Sequence, residues 1–287
     1  MSEKHVDDIT GVETTGHEWD GIRELNNPLP RWWLWTFYAC IVWAIGYAIA
    51  YPAIPLISGA TPGLLGYSSR AEVVAELADA KAAQGALLEK IAATPVEEIA
   101  SDPELLQFAI AGGSSAFKVN CAQCHGSGAA GSAGYPNLND DDWLWGGTID
   151  QIYLTIAHGI RYDGDDDTRY SEMPAFGDIL EPAQINEVAA YVVSLSDTPA
   201  DPAMVEPGKV VFAENCAACH GDNAEGLIDF GAPRLSDGIW LKGSTEAQIA
   251  AQVRNPKHGV MPAWVGRLGE PTVKQLAVFV HTLGGGQ

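Results

Sequence analysis

The chain has 287 residues and carries 37 Asp and Glu against 16 Lys and Arg, a formal net charge of -21 at pH 7. With 47% of its residues hydrophobic and 18% charged, it is too apolar for a disordered acidic chain and long enough for two domains with real cores. The acidic balance excludes a nucleic-acid binder, which needs a basic face to neutralise phosphates.

Residues 1–31 form a polar, acidic leader. It is too long and too acidic to be the basic start of a signal peptide, and no small-residue cleavage motif closes the apolar run behind it. That run therefore reads as a retained anchor. No charged residue occurs between Arg31 and Arg70. The run begins with Trp32, Trp33 and Trp35, passes through Ile41, Val42 and Ile45, and ends at Tyr47 and Tyr51. About 20 helical residues cross a hydrocarbon core roughly 30 Å thick, and aromatic side chains gather at its two interfaces. Residues 32–57 are assigned as one transmembrane anchor in the lipid bilayer, with Pro52 and Pro55 at its irregular end. Cys40 lies inside it with no second cysteine nearby and reads as a packing residue. Lys4, Arg23 and Arg31 favour a cytoplasmic N-terminus.

Residues 58–111 read as a helical connecting region. A Gly/Pro/Ser stretch, 58–69, leaves the membrane, and Ser69 with Glu72 matches a capping box opening an Ala-rich helix to about Ala92. Thr94 and Glu97 form a second such match around Pro95, and Asp102-Pro103 starts a third short helix. This region either docks on a neighbouring subunit or covers the domain that follows.

Two copies of one module complete the chain, at 112–199 and 203–287. Each contains the pattern C-x-x-C-H: Cys121, Cys124 and His125 in the first, Cys216, Cys219 and His220 in the second. That spacing is the attachment signature of c-type haem, in which two thiols add across the vinyl groups and the adjacent histidine reaches the iron. A redox dithiol or a four-cysteine zinc site would leave both histidines to chance. The repeat extends well beyond the motif. Phe117 matches Phe212, Pro136 matches Pro233, Trp143 matches Trp240, His158 matches His258, and Met173 matches Met261. The main difference is 12 extra residues between His158 and Met173. In each module a first helix starts near Ser114 or Pro207, Gly-rich loops follow, and a middle helix runs at 148–158 or 245–254. A final amphipathic helix runs at 182–195 or 271–283.

Met173 and Met261, each before a proline at matched positions, are the candidates for the sixth iron ligand, Met173 with His125 and Met261 with His220. His158 is the rival for the first haem and His258 for the second. His5, His17 and His281 carry no evident ligand chemistry. Two six-coordinate irons suit an electron carrier with no catalytic centre of its own, since a haem enzyme needs a vacant position. Asp140, Asp141 and Asp142, and Asp163, Asp165, Asp166 and Asp167 in the insertion, read as solvated acidic loops. Their field would speed encounter with a basic donor protein.

The leader run Trp19-Asp20-Gly21-Ile22-Arg23-Glu24-Leu25, continuing through Asn26-Asn27-Pro28-Leu29-Pro30-Arg31-Trp32-Trp33, is not a general feature of haem proteins. Followed by one membrane helix and two C-x-x-C-H modules, it resembles the dihaem subunit family (CcoP or FixP, subunit III) of cbb(3)-type cytochrome c oxidases. The resemblance covers essentially the whole chain. It implies a mainly α fold, with one N-terminal transmembrane helix and two tandem all-α class I cytochrome c domains. It implies two covalently bound haem c groups, a bacterial inner membrane with a cytoplasmic N-terminus, and periplasmic haem domains. Electrons would come from a donor cytochrome c, soluble or membrane-anchored, with the cytochrome bc complex a further candidate. They would pass to the monohaem cytochrome c subunit and on to the catalytic haem-copper subunit, which reduces oxygen and pumps protons. The competing readings are the cytochrome subunit of another membrane dehydrogenase and a dihaem peroxidase. The leader motif speaks against the first, and the paired methionines against the second.

Overall fold

The computed structural model describes residues 5–196 and 200–284. Its contacts divide the chain into two units, Met1–Ala82 and Ala83–Gln287. In the first unit the leader forms a hairpin. Asp20 and Gly21 both take left-handed backbone, φ 48° and 82°, and this tight turn joins β1 (Thr14–Trp19) to β2 (Ile22–Leu25), with Trp19 opposite Ile22. An Asp-Gly pair supplies the positive φ angles that such hairpins need.

Helix α1 (Arg31–Ala50) follows Pro30 and contains no buried residue, so its apolar side chains are all open to an apolar solvent. It is the one helix among the described residues that is long and apolar enough to cross a membrane. It stops at Ala50, just ahead of the prolines expected to end it, because Tyr51 is extended and Pro52 cannot continue the helix. A small hairpin, β3 (Pro55–Leu56) with β4 (Gly59–Ala60), turns the chain back. The N–H groups of Leu64 and Leu65 then donate to the carbonyls of Ile49 and Ala50 at 2.9 and 3.0 Å. The Gly/Pro-rich stretch therefore caps the anchor, satisfying carbonyls that a helix end leaves open. Helix α2 (Ser69–Ala93) begins one residue after its actual cap: the Ser68 hydroxyl accepts from the Ala71 N–H at 3.3 Å.

In the second unit a 3-10 turn (Val96–Ser101) leads into α3 (Pro103–Asn120) and α4 (Ala122–His125), followed by α5 (Ile149–His158) and α6 (Pro182–Ser194). Then come α7 (Pro202–Asn215), α8 (Ala217–His220), α9 (Glu246–Arg254), α10 (Val265–Leu268) and α11 (Glu270–His281). Asp102 caps α3 by accepting from the Glu104 and Leu105 N–H groups at 2.9 and 3.2 Å. The short helix expected at Asp102-Pro103 and the one expected near Ser114 are thus a single helix. Gly112 and Gly113 do not break it. A Cβ on Gly113 would collide with the carbonyl oxygen of Gln275, so the missing side chain is what lets α11 lie against α3. Helix α7 likewise starts at Pro202, capped by Asp201, with Pro207 inside it rather than at its start.

The final helices pack across the two repeat copies. Helix α11, the last of the chain, packs on α3 and α5, while α6 packs on α7 and α9. One core joins Leu105, Phe117, Ile152, Val273, Leu276 and Val280. The other joins Ile185, Val188, Val192, Phe212, Ile249 and Val253. Segments 112–199 and 203–287 therefore do not fold as self-contained modules; they exchange their last thirds. The short link from Leu195 to Asp201 favours this, since helices joined by a short connection pack as antiparallel neighbours. The residues inserted between His158 and Met173 supply chain for the crossing.

The connecting region covers the first core. Ile91, Val96 and Ile99 are buried in it. Lys274 of α11, only 7% exposed, donates from Nζ to the carbonyls of Ala92 and Thr94 at 2.8 and 2.9 Å and pairs with Glu270 at 3.0 Å. A cation at the end of α2 meets the negative end of its dipole and satisfies open carbonyls together. The exchange is testable through its aromatic pairs. Phe117 faces Phe279 at 5.5 Å between ring centroids, and Tyr191 faces Phe212 at 5.4 Å. In thermal unfolding, a double-mutant cycle on Phe117 and Phe279 is expected to give a coupling of about 0.5–1.5 kcal/mol. The cycle on Phe117 and Tyr191 is expected to be additive within about 0.5 kcal/mol. Coupling in the second pair and none in the first would contradict the exchange.

Candidate functional site

Both C-x-x-C-H motifs are built the same way. Helix α3 ends at Asn120, Cys121 breaks the helical run, and one short turn carries Cys124 and His125. Gly126, φ 80°, then reverses the chain, so that the Gly131 N–H donates to the His125 carbonyl at 2.8 Å. His125 donates Nδ1–H to the Pro136 carbonyl at 3.1 Å, the tautomer being fixed because a carbonyl can only accept. In the second copy the Gly226 N–H donates to the His220 carbonyl at 2.8 Å, and His220 Nδ1 donates to Pro233 at 3.0 Å. Burial is the main cause holding both imidazoles below the usual histidine range. Each is thus neutral, oriented, and left with its Nε2 lone pair for a metal.

The four motif cysteines are free of disulfides. Burial, with a smaller contribution from the neighbouring thiol, pushes Cys121 and Cys216 up to about 11, while Cys124 and Cys219 are exposed. One continuous cavity of about 760 Å³ reaches all four cysteines, both motif histidines, Met173 and Met261. Its walls include Leu144, Trp145, Val188, Phe212 and Ile249. Paired thiols at a three-residue interval, a neutral imidazole braced from behind, a thioether and an apolar pocket are the donor set and lining that a covalently held haem requires.

Repeat order pairs Met173 with His125 and Met261 with His220, whereas the two cores group the methionine side chains the other way. Met261 packs on the core containing Phe117 and Cys121, and Met173 packs on the core containing Phe212 and Cys216. Each lies with the motif of the other repeat copy. The crossing that brings this about is a two-residue bridge: Ile160 and Met261 exchange backbone hydrogen bonds at 2.9 and 3.0 Å. Gly159, φ 73°, lies so close beneath the Met261 carbonyl that a Cβ there would collide with it.

Of the rival ligands, His158 turns to the insertion, its Nδ1 lying 3.1 Å from Asp165 Oδ1, and is not among the residues lining the cavity. His258 does line it. The acidic insertion is not simply a solvated loop. Asp165 also accepts from the Asp167 N–H at 2.9 Å, so part of the acid is spent inside the loop. Sequence reasoning passed over Arg161 and Arg169. Arg169 lies over the Trp145 ring at 5.7 Å and donates to the Trp145 carbonyl. Arg161 is half-buried at the cavity edge. Two arginines within a strongly acidic insertion were the signal available. Across the cavity, burial and the nearby Asp237 and Asp140 carboxylates raise Asp142 to about 6.

Known families match this chain in three segments. The N-terminal domain of cytochrome oxidase-cbb3, FixP, matches residues 11–58. Cytochrome c matches 110–196, and cytochrome C oxidase, cbb3-type, subunit III, matches 203–280. The cbb3-type cytochrome c oxidase subunit FixPc of Rhizobium leguminosarum bv. viciae is 67% identical over the full length of both chains. Subunit FixP of Rhizobium meliloti is 66% identical, covering 99% of this chain and 98% of its own. Subunit CcoP of Cereibacter sphaeroides is 52% identical, covering 96% and 95%. Two covalently bound c-type haems, an electron-transfer role within an oxidase complex, and attachment to a membrane follow from these matches together with the apolar helix. The chain belongs to the FixP/CcoP family of cbb3-type cytochrome c oxidase subunits.

Proposed function

We propose that this chain carries electrons to the oxygen-reducing part of its oxidase through two His/Met haems whose ligands are crossed between the repeat copies. One set is Cys121, Cys124 and His125 with Met261; the other is Cys216, Cys219 and His220 with Met173. The observation that supports this is the placement of each methionine in the core of the opposite motif. Each bound haem supplies a one-electron ferric/ferrous couple. The chain's own residues do the rest. The cysteines fix the group covalently. The carbonyls of Pro136 and Pro233 hold each imidazole in one orientation. The thioethers of Met261 and Met173 would help hold each haem iron and would favour its reduced state, since methionine ligation raises the potential. Apolar walls limit water and so reduce the reorganisation that accompanies each change of charge.

In a chain stripped of its second haem by Cys216→Ala with Cys219→Ala, Met261→Ala is expected to abolish the remaining sulfur-to-iron band and lower the potential. Met173→Ala in the same background is expected to leave both unchanged. The reverse result would restore the uncrossed pairing, and an intact band in Met261→Ala would point to His258.

The haem-bearing unit faces the periplasm and meets a cationic donor cytochrome c. Residues from 58 onward carry 30 acidic against 13 basic side chains, and Lys4, Arg23 and Arg31 precede the apolar run in the sequence. In spheroplasts holding the intact oxidase, an added reduced, strongly basic cytochrome c that cannot cross the membrane is expected to reduce the haems. The rate should fall roughly tenfold between low and physiological ionic strength. Reduction only after lysis would contradict the topology, and a salt-independent rate would contradict the charge complementarity.

A further inference from the structure

Arg161 holds left-handed backbone, φ 51°, a region that a residue with a long side chain seldom adopts without surrounding structure to impose it. Two sets of bonds impose it here. The Arg161 N–H donates to the Arg169 carbonyl at 2.8 Å, and the preceding residue, Ile160, is bridged to Met261. The consequence lies in the side chain. Its Nε donates to the Gly259 carbonyl at 2.8 Å, and its Nη1 donates to the Ser171 carbonyl at 2.7 Å. Gly259 stands two residues before Met261, and Ser171 stands two residues before Met173. One planar guanidinium therefore grips both methionine segments at equivalent positions, one from each repeat copy. Arginine is suited to this because its donors are fixed in a rigid fork. The group is half-buried, and burial draws it somewhat below the usual arginine range against the opposing pull of Glu172; a guanidinium stays charged all the same, so its bonds to carbonyls are charge-assisted and partly shielded from water.

We propose that Arg161 is a positioning residue that ties the two thioether ligands together, so that loosening either methionine segment loosens the other. This gives the insertion between His158 and Met173 a role: it delivers the clamp to the point where the two halves of the chain cross. The proposal rests on the crossed His125/Met261 and His220/Met173 pairing.

The test uses the full-length ferric dihaem protein, with imidazole as competitor for the methionine position and electron paramagnetic resonance to follow each haem separately. The parent should show sulfur ligation at both irons, displaced by imidazole only at high concentration. Arg161→Gln is expected to raise imidazole affinity about tenfold at both haems, the size of one charge-assisted hydrogen bond lost at each segment. Arg161→Lys keeps the charge without the fork and should raise both affinities in the same sense; it also serves if the glutamine variant fails to load haem. A parent lacking sulfur ligation would overturn the pairing itself. A parent with sulfur ligation at both irons, combined with Arg161 variants that alter one haem or neither, would overturn the clamp and leave the pairing standing.

Discussion

Gly159 carries no side chain beneath the Met261 carbonyl, and that close approach lets two distant stretches of backbone cross and bond. The arrangement of the haem-bearing unit depends on this crossing. After α5 the chain leaves the first core, contributes Met173 and α6 to the second, completes that core with α7 to α9, and returns with Met261 and α11. The second core is thus built from one contiguous stretch, and the first closes only when α11 returns to it. Two haem sites built this way share a cavity and a folding unit, which suits a subunit that must keep two redox centres in fixed relation.

The parts were readable in the sequence, but their pairing was not. The C-x-x-C-H turns and the middle helices follow from local chemistry, and each stands where expected. A repeat, however, makes the two copies of every part equivalent. Phe117 could serve either final helix as well as the other, and Met173 could reach either histidine. The information lay in the connections: a short link between α6 and α7, and a longer path from His158 to Met173 than from His258 to Met261. Smaller misses share a cause. The helix expected near Ser114 starts earlier because Gly112 and Gly113 fit beneath α11, and the turn at Asp20-Gly21 shows only in the backbone.

The connecting region could serve a neighbour or its own chain; burial assigns its end, from Ile91 on, to its own chain, while Val73, Val74 and Leu77 of α2 stay exposed. Ile91, Val96 and Ile99 seal the first core, and Lys274 fixes the end of α2 to the last helix. A buried lysine that satisfies backbone carbonyls is costly to remove, since the carbonyls would be stranded. The C-terminal helix is therefore bonded both to the first haem motif's core and to the segment that leads back towards the anchor. Acid follows a similar division. Some of it, such as Asp165, is spent within the insertion, and the proposed donor surface rests on the acidic excess that remains.

The central claim is that the two haem-bearing segments are interlocked. A specific protease site introduced at Ala200, in the link between α6 and α7, tests it most directly. After cleavage of the holoprotein, the crossed arrangement predicts that the two fragments, each carrying one haem, stay associated under native conditions. Both sulfur-to-iron bands should survive, and the fragments should part only on denaturation. Fragments that separate under native conditions, each keeping its own methionine-ligated haem, would contradict it.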